Sequence, residues 1–207
     1  MLQKIIEFLF PTECLACGMQ GPDICTVCLE TIHPPKEQNY DWITSYGNYH
    51  DKKLEKVMRH IKSQPNGRAV HLLAKSFGEM ILNRPQNPQE WILVPIPISK
   101  QRFRERGFNQ CELLANYFGE VFKLQVKADL LVKKRHTRKQ GTSKSKSERA
   151  TNIVGSFGIK KKHQKYLVNK NIILIDDITT TGSTLAEART LLITAGTQKV
   201  LAWTIAN

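Results

Sequence analysis

The sequence predicts an α/β fold built on a mostly parallel sheet with flanking helices. Two short runs, Trp91-Ile92-Leu93-Val94 and Ile172-Ile173-Leu174-Ile175, are continuously apolar. Strands buried on both faces of a parallel sheet read this way. Each run leads into a polar loop and then a helical pattern, the repetition that builds such sheets. A length of 207 residues supports one hydrophobic core with a small appendage, hardly two full domains.

The elements follow in order. Met1 to Phe10 reads as a short amphipathic helix docking on the core. Leu2, Ile5, Ile6 and Leu9 share one face, and Pro11 stops it. It lacks the cleavage site of a secretory signal, and no apolar run reaches the ~18 residues of a membrane span, so a cytoplasmic protein is expected. Asp41 to Tyr49 is aromatic and β-prone and suggests one or two short strands, or a hairpin near Gly47-Asn48. Helices are expected over 52–62 and 68–82, separated by a Pro-Gly break at 63–67. After the first apolar run, residues 95–107 read as a polar loop and 109–122 as a helix, with Cys111 as a packed side chain. After the second run come a helix to about Ala195, capped by Gly196, and a last strand over 200–206.

Four of the five cysteines form two C-x-x-C pairs, Cys14/Cys17 and Cys25/Cys28. Two such knuckles make a closed tetrahedral Zn²⁺ site. The alternatives are two disulfides, disfavoured without a secretion signal, or a redox pair. A shell of four sulfurs leaves no open position, so this zinc would be structural.

Net charge is +13, which raises the prior for a polyanionic partner. Residues 133–170 carry thirteen basic residues and one acid, Glu148, so the rest of the chain nets +1. The loop residues are Lys133, Lys134, Arg135, Arg138, Lys139, Lys144, Lys146 and Arg149, followed by five lysines up to Lys170. This segment is either a solvated lysine-rich loop or a mobile arm that meets phosphate.

The string from Ile172 to Thr184 is the most informative. An apolar strand delivers Asp176 and Asp177 to its C-terminal end, and Thr179, Thr180, Thr181, Gly182, Ser183 and Thr184 form a turn that opens a helix. Backbone N–H groups at a helix N-terminus bind phosphate, and Gly182 permits close approach. Carboxylates would repel a phosphate unless they bind sugar hydroxyls or a divalent cation. A phosphorylated sugar is therefore the natural ligand. The string is neither a Walker loop nor G-x-G-x-x-G, and an ordinary N-cap after a strand does not account for all of it.

This string resembles the PRPP-binding signature of type I phosphoribosyltransferases. The resemblance implies a five-stranded parallel core, contacts from Asp176 and Asp177 to the ribose hydroxyls of phosphoribosyl pyrophosphate, and a 5′-phosphate held by 179–184. It also implies Mg²⁺ with the pyrophosphate and a flexible loop, here 133–157, over the site. A narrower resemblance is to the ComF family of competence-associated proteins. It is carried by Val94-Pro95-Ile96-Pro97-Ile98-Ser99-Lys100-Gln101-Arg102-Phe103-Arg104-Glu105-Arg106-Gly107-Phe108-Asn109-Gln110, by the C-x-x-C pairs, and by Thr137, Gln140, Glu148-Arg149, Asn152 and Phe157. It implies a part in DNA uptake during natural transformation, on single-stranded DNA and with a helicase-like partner. Lys62, matching a family lysine, with Lys100, Arg102, Arg104 and Arg106, would then meet pyrophosphate or the DNA backbone. The expected division is 1–35 (helix and zinc knuckle), 36–90 (cap or hood) and 91–207 (phosphoribosyltransferase-like core with its basic loop 133–170). Two other readings remain. One is an active phosphoribosyltransferase acting on an unidentified base or amine, its acceptor pocket drawn from the first 90 residues. The other is an adaptor that docks proteins through the knuckle.

Overall fold

The computed structural model describes residues 12–35, 40–81, 90–134 and 155–207. The expected helix over 1–10 and most of the basic segment lie outside them. The described elements are α1 (Thr26–Glu30), β1 (Ile43–Gly47), α2 (Lys52–Ser63), α3 (Gly67–Met80), β2 (Trp91–Pro95), α4 (Lys100–Arg106), α5 (Gln110–Phe122), β3 (Gln125–Val126), β4 (Leu131–Lys133), β5 (Phe157–Ile159), β6 (Asn171–Ile178), α6 (Ser183–Thr194) and β7 (Lys199–Ala206). A five-stranded sheet has the order β1-β7-β6-β2-β3, and every pairing within it is parallel. The mostly parallel sheet flanked by helices is thus as the sequence predicts.

The apolar runs are continuous because both faces of the sheet are covered. On β6, Ile173 and Ile175 pack into the core made with α2, α3, α5 and the knuckle. Ile172 and Leu174 pack into the opposite core with α6 and the β4–β5 hairpin. The first core centres on an aromatic group. Trp203 of β7 lies 4.8 Å from Phe122 and 5.6 Å from Phe118, and Phe118 lies 5.2 Å from Phe77.

Helix boundaries follow their caps. Asp51 accepts from the N–H groups of Lys53 and Leu54 to open α2. Asn66 accepts from Ala69 N–H to open α3, and Asn109 from Cys111 N–H to open α5. Each bond satisfies an N–H that has no partner within the helix.

Two expectations are corrected. Residues 95–107 are not all loop. Ser99 Oγ accepts from Arg102 N–H at 3.2 Å, helix α4 follows, and Gly107 ends it at φ 77°. Seven residues with one apolar side chain carry no periodicity for a sequence reading to find. Residues 41–49 form no hairpin. They give one strand, β1, pairing in parallel with β7, so a segment expected in the cap supplies an edge of the main sheet. Ser45 and Thr204, partners in that register, join their hydroxyls at 2.8 Å in the interior.

Replacing Trp203 by Ala removes the ring shared by the aromatic group. The expected cost is about 3–5 kcal/mol, read as a lower denaturant midpoint with unchanged slope. A loss below about 1 kcal/mol would mean that this group does not organise the core.

Candidate functional site

The C-terminal ends of β2 and β6 open on a cleft of about 630 Å³. Ligands of open parallel sheets bind at this end of the strands. Its lining brings together Lys62 from α2, Arg102 from α4, Gln110 and Cys111 from α5, Lys133 from β4, Asp176 and Asp177 from β6, and Thr180 and Thr184 beyond it. Seven of the residues singled out from the sequence therefore share one cavity, although the chain positions span Lys62 to Thr184.

The two carboxylates are buried, and the fold supplies donors to both. Asp176 Oδ1 accepts from Asp177 N–H at 2.9 Å and from the Cys111 thiol at 3.4 Å. Asp177 Oδ1 accepts from Ile178 N–H at 2.8 Å. Asp177 Oδ2 accepts from Gln110 Nε2 at 3.1 Å and faces Lys62 Nζ at 3.4 Å. Burial, and then the charge of Asp177, push Asp176 up to about 8. Burial raises the Cys111 thiol as well, and both neighbouring carboxylates add to that. Arg106 does not line the cleft. Its Nη1 donates to Gln110 Oε1 at 3.0 Å, which orients the amide that serves Asp177.

The turn after β6 is pinned from several sides. Thr179 is buried and its N–H donates to Ala206 O. Thr181 Oγ1 and Ser183 Oγ lie 2.8 Å apart. Gly182 takes φ 70°, a left-handed conformation costly for other residues. A Cβ there would stand 2.5 Å from Tyr40 Cε2. Tyr40 lies across this backbone, and its hydroxyl donates to Thr181 O at 3.3 Å.

The basic segment is rooted beside the cleft by an antiparallel hairpin in which Lys133 pairs with Phe157. Lys133 Nζ sits 4.0 Å from the centroid of the Phe157 ring. Burial lowers its pKa, while Glu187 and Asp176 pull the other way. The far root is fixed to α6, because Glu187 accepts from both Ser156 N–H and Ser156 Oγ at 2.5 Å. Lys100 and Arg104 are exposed on α4, outside the lining, and Lys134 lies past the hairpin pair. Arg135, Arg138, Lys139, Lys144, Lys146 and Arg149 fall outside the described residues. Sequence reasoning named Gln110 only within the ComF-like string without a role, missed Tyr40 and Glu187, and took Cys111 for simple packing. Only the topology brings these to Asp177, Gly182, Ser156 and Asp176.

Outside the lining of the cleft, the sulfurs of Cys14, Cys17, Cys25 and Cys28 all lie within 4.8 Å of one another. None is in a disulfide. Cys17 and Cys25 sulfurs are 3.8 Å apart, the edge of a tetrahedron with metal–sulfur bonds of about 2.3 Å. Burial opposes ionisation of Cys14, but the N–H groups of Cys25, Cys17 and Ala16 together outweigh it and bring the thiol to about 6. Burial and the three neighbouring cysteines push Cys28 up to about 12. Four thiols this close resist joint ionisation, and a dication at their centre removes that conflict. The set can hold a metal ion.

No family model matches the chain. Among curated proteins it is 36% identical over 129 residues to Competence protein ComFC of Streptococcus pneumoniae, covering 62% of this chain and 54% of that one. It is 32% identical over 148 residues to Competence protein ComFC of Bacillus subtilis, covering 72% and 56%. The DNA utilization protein YhgH of Escherichia coli is 28% identical over 198 residues, covering 93% and 82%. The chain resembles the ComF competence proteins. The matched stretch spans about half the length of the two ComFC relatives. Among solved structures, a hypoxanthine phosphoribosyltransferase of Staphylococcus aureus is similar with a TM-score of 0.42 and 15% identity, covering 67% of this chain and 63% of that one. No helix among the described residues is long and apolar enough to cross a membrane.

Because Asp176 is raised, the folded state holds its proton between about pH 4 and about pH 8, where the unfolded chain has released it. Its contribution therefore lowers stability as pH rises through that window, then levels off. Asp176→Asn removes the effect while keeping an oxygen that accepts from Asp177 N–H. The variant is expected to melt higher than wild type at pH 8, with the gap closing at pH 4. A gap that is absent or reversed at pH 8 would show that Asp176 is not held against its charge.

Proposed function

We propose that the protein is a ComF-type factor in the handling of incoming DNA, which binds a phosphoribosyl ligand such as PRPP in the cleft and single-stranded DNA on its basic surface. The observation that carries the reading is the polarity of the cleft. Buried carboxylates stand at the end of β6, the hydroxyl-rich turn opens α6 beside them, and Lys62, Arg102 and Lys133 face the same cavity. A ribose diol donates to Asp176 and Asp177. The 5′-phosphate takes the N–H groups of the 179–184 turn. The pyrophosphate, with Mg²⁺, meets the cations. Lys100, Arg104 and Arg106 extend the positive surface along α4.

The tetrathiolate set is assigned to structural Zn²⁺, because a closed four-sulfur shell suits that ion and leaves no site for a substrate. The division into knuckle, cap and core is retained, with β1 as the strand that the cap lends to the sheet. A cytoplasmic location and a helicase-like partner belong to the same reading. Transfer of the phosphoribosyl group to a base or amine is a second reading, favoured by the one feature that pure binding does not need. That feature is Lys133, half-buried against Phe157 beside both Asp176 and Glu187, a cation placed where leaving-group charge would develop.

Calorimetric titration with PRPP and Mg²⁺, with and without oligothymidylate, tests both sites and their coupling. Binding is expected for wild type, with a loss of at least about tenfold for Asp177→Ala, which removes a charged hydrogen-bond acceptor. Unchanged PRPP affinity in that variant would overturn the assignment of the cleft. Elemental analysis is expected to give one zinc per chain, and thiol-competing chelators should melt the knuckle before the sheet. A chain without bound metal that melts as one unit would overturn the zinc assignment.

A further inference from the structure

The basic segment does not serve the cleft alone. Its hairpin roots Lys133 at the cleft, but the chain then runs back along β5 to the opposite end of the sheet. Lys160, Lys161, Lys162 and Lys165 follow β5 and are exposed, and Lys170 immediately precedes β6. Lys127, just past β3, joins them through its contact with Tyr166. Asn171, next to Lys170, and Asp177 are six residues apart in extended chain, roughly 20 Å at the usual strand rise. The two basic regions are therefore separate surfaces, although the sequence presents them as one strap.

The centre of the second surface is Tyr166. The residue is 37% exposed. Its hydroxyl donates to Gln125 Oε1 at 2.7 Å, which fixes the ring against the edge of the sheet at β3. Lys127 Nζ lies 5.4 Å and Lys170 Nζ 5.6 Å from the ring centroid. Beside it, Asp129 gathers Lys160, Lys162 and His163, holding two further ammonium groups in place and neutralising only one charge. Lys161 and Lys165 stay exposed on the two turns between β5 and β6.

We propose that this face is a second, independent binding surface for single-stranded nucleic acid. Tyr166 supplies the ring on which one base stacks, taking the place of the Lys127 and Lys170 ammonium groups that lie over it, and these then meet the neighbouring phosphates. An oriented aromatic ring with cations beside it is the combination by which single strands are held without sequence preference. An anionic lipid surface would meet the same lysines. It would also need apolar side chains to insert, and Val168 is the one large exposed aliphatic residue described between 155 and 170. The inference rests on the DNA-handling reading above and adds to it a second place of contact, away from the cleft.

The test is fluorescence anisotropy of a labelled oligothymidylate with the full chain across a salt series. Tyr166→Ala is expected to weaken binding roughly 5- to 150-fold, the range for loss of one base–aromatic stack. Tyr166→Phe keeps the ring and should bind within about twofold of wild type, the spread of an ordinary surface change. The double variant Lys127→Ala/Lys170→Ala should reduce the slope of log affinity against log salt by about 1.4, or about 0.7 for each lost phosphate contact. PRPP affinity should be unchanged in all three. If wild type binds the oligonucleotide while the alanine variants match it in affinity and slope, the second surface is overturned and the proposed function stands. If wild type binds no oligonucleotide, both fail. Binding to vesicles of phosphatidylglycerol that Tyr166→Ala leaves intact, without binding to the oligonucleotide, overturns the proposal in favour of a membrane surface.

Discussion

Two adjacent carboxylates leave the end of a strand that is buried on both faces, and much of the remaining structure answers that constraint. Strand β6 lies in the middle of the five-stranded sheet, with a core against each side. Ile172 to Ile175 need that double burial, and Asp176 and Asp177 are carried into it by continuity of the strand. An isolated buried carboxylate is costly, and a buried polar group must be given partners. Those partners come from three separate elements: Lys62 at the end of α2, Gln110 and Cys111 at the start of α5, and the strand's own N–H groups. Helices α2 and α5 are therefore not interchangeable cover. Their ends are placed where the strand's charges emerge.

The knuckle and the basic segment join the rest of the fold through the same two cores. The tetrathiolate knuckle packs into the larger core through Cys14, Ala16, Ile24 and Cys28, so a metal held there would brace the elements that carry Lys62. The basic segment is divided by a hairpin of three residues on each side. One root, at Lys133, faces the carboxylates, and the other, at Lys160, leads to the opposite end of the sheet. Net charge, as a single number, averages over these two environments, whereas at separations beyond about 10 Å in physiological salt they act almost independently.

Legibility in the sequence followed the range of the interactions. The strands at 91–95 and 171–178 were readable because burial on both faces leaves a local signature, an unbroken apolar run. Helices α2, α3 and α5 were readable from periodicity and from the Pro-Gly break between the first two. The paired C-x-x-C motifs were readable because four cysteines at that spacing can close on one metal ion. Helix α4 was not, because Lys100 to Arg106 has a cap at each end and nothing periodic between. Strand β1 was readable as a strand, but its partner, β7, lies about 160 residues later, and no local pattern encodes a parallel pairing at that distance. In the site, Asp176, Asp177 and the 179–184 turn were legible as one contiguous string. Gln110, Cys111 and Tyr40 were not, since their roles exist only once the chain has brought α5 to β6 and Tyr40 over Gly182.

The carboxylates also determine which part of a ligand can lie beside them. Asp177 already accepts from Ile178 N–H and Gln110 and faces Lys62, and Asp176 accepts from Asp177 N–H and a thiol. Every one of these groups is a donor, so at Asp177 a newcomer gains by bringing donors of its own, as a sugar diol does. An anion placed at that end would meet Asp177 and the desolvated Asp176. An anion placed at the turn meets the first N–H groups of α6, and one placed toward α4 and β4 meets Arg102 and Lys133. A molecule with hydroxyls in the middle and a phosphate at each end matches this sequence of charges. The match follows from the burial of two residues on β6, before any particular contact to a ligand is counted.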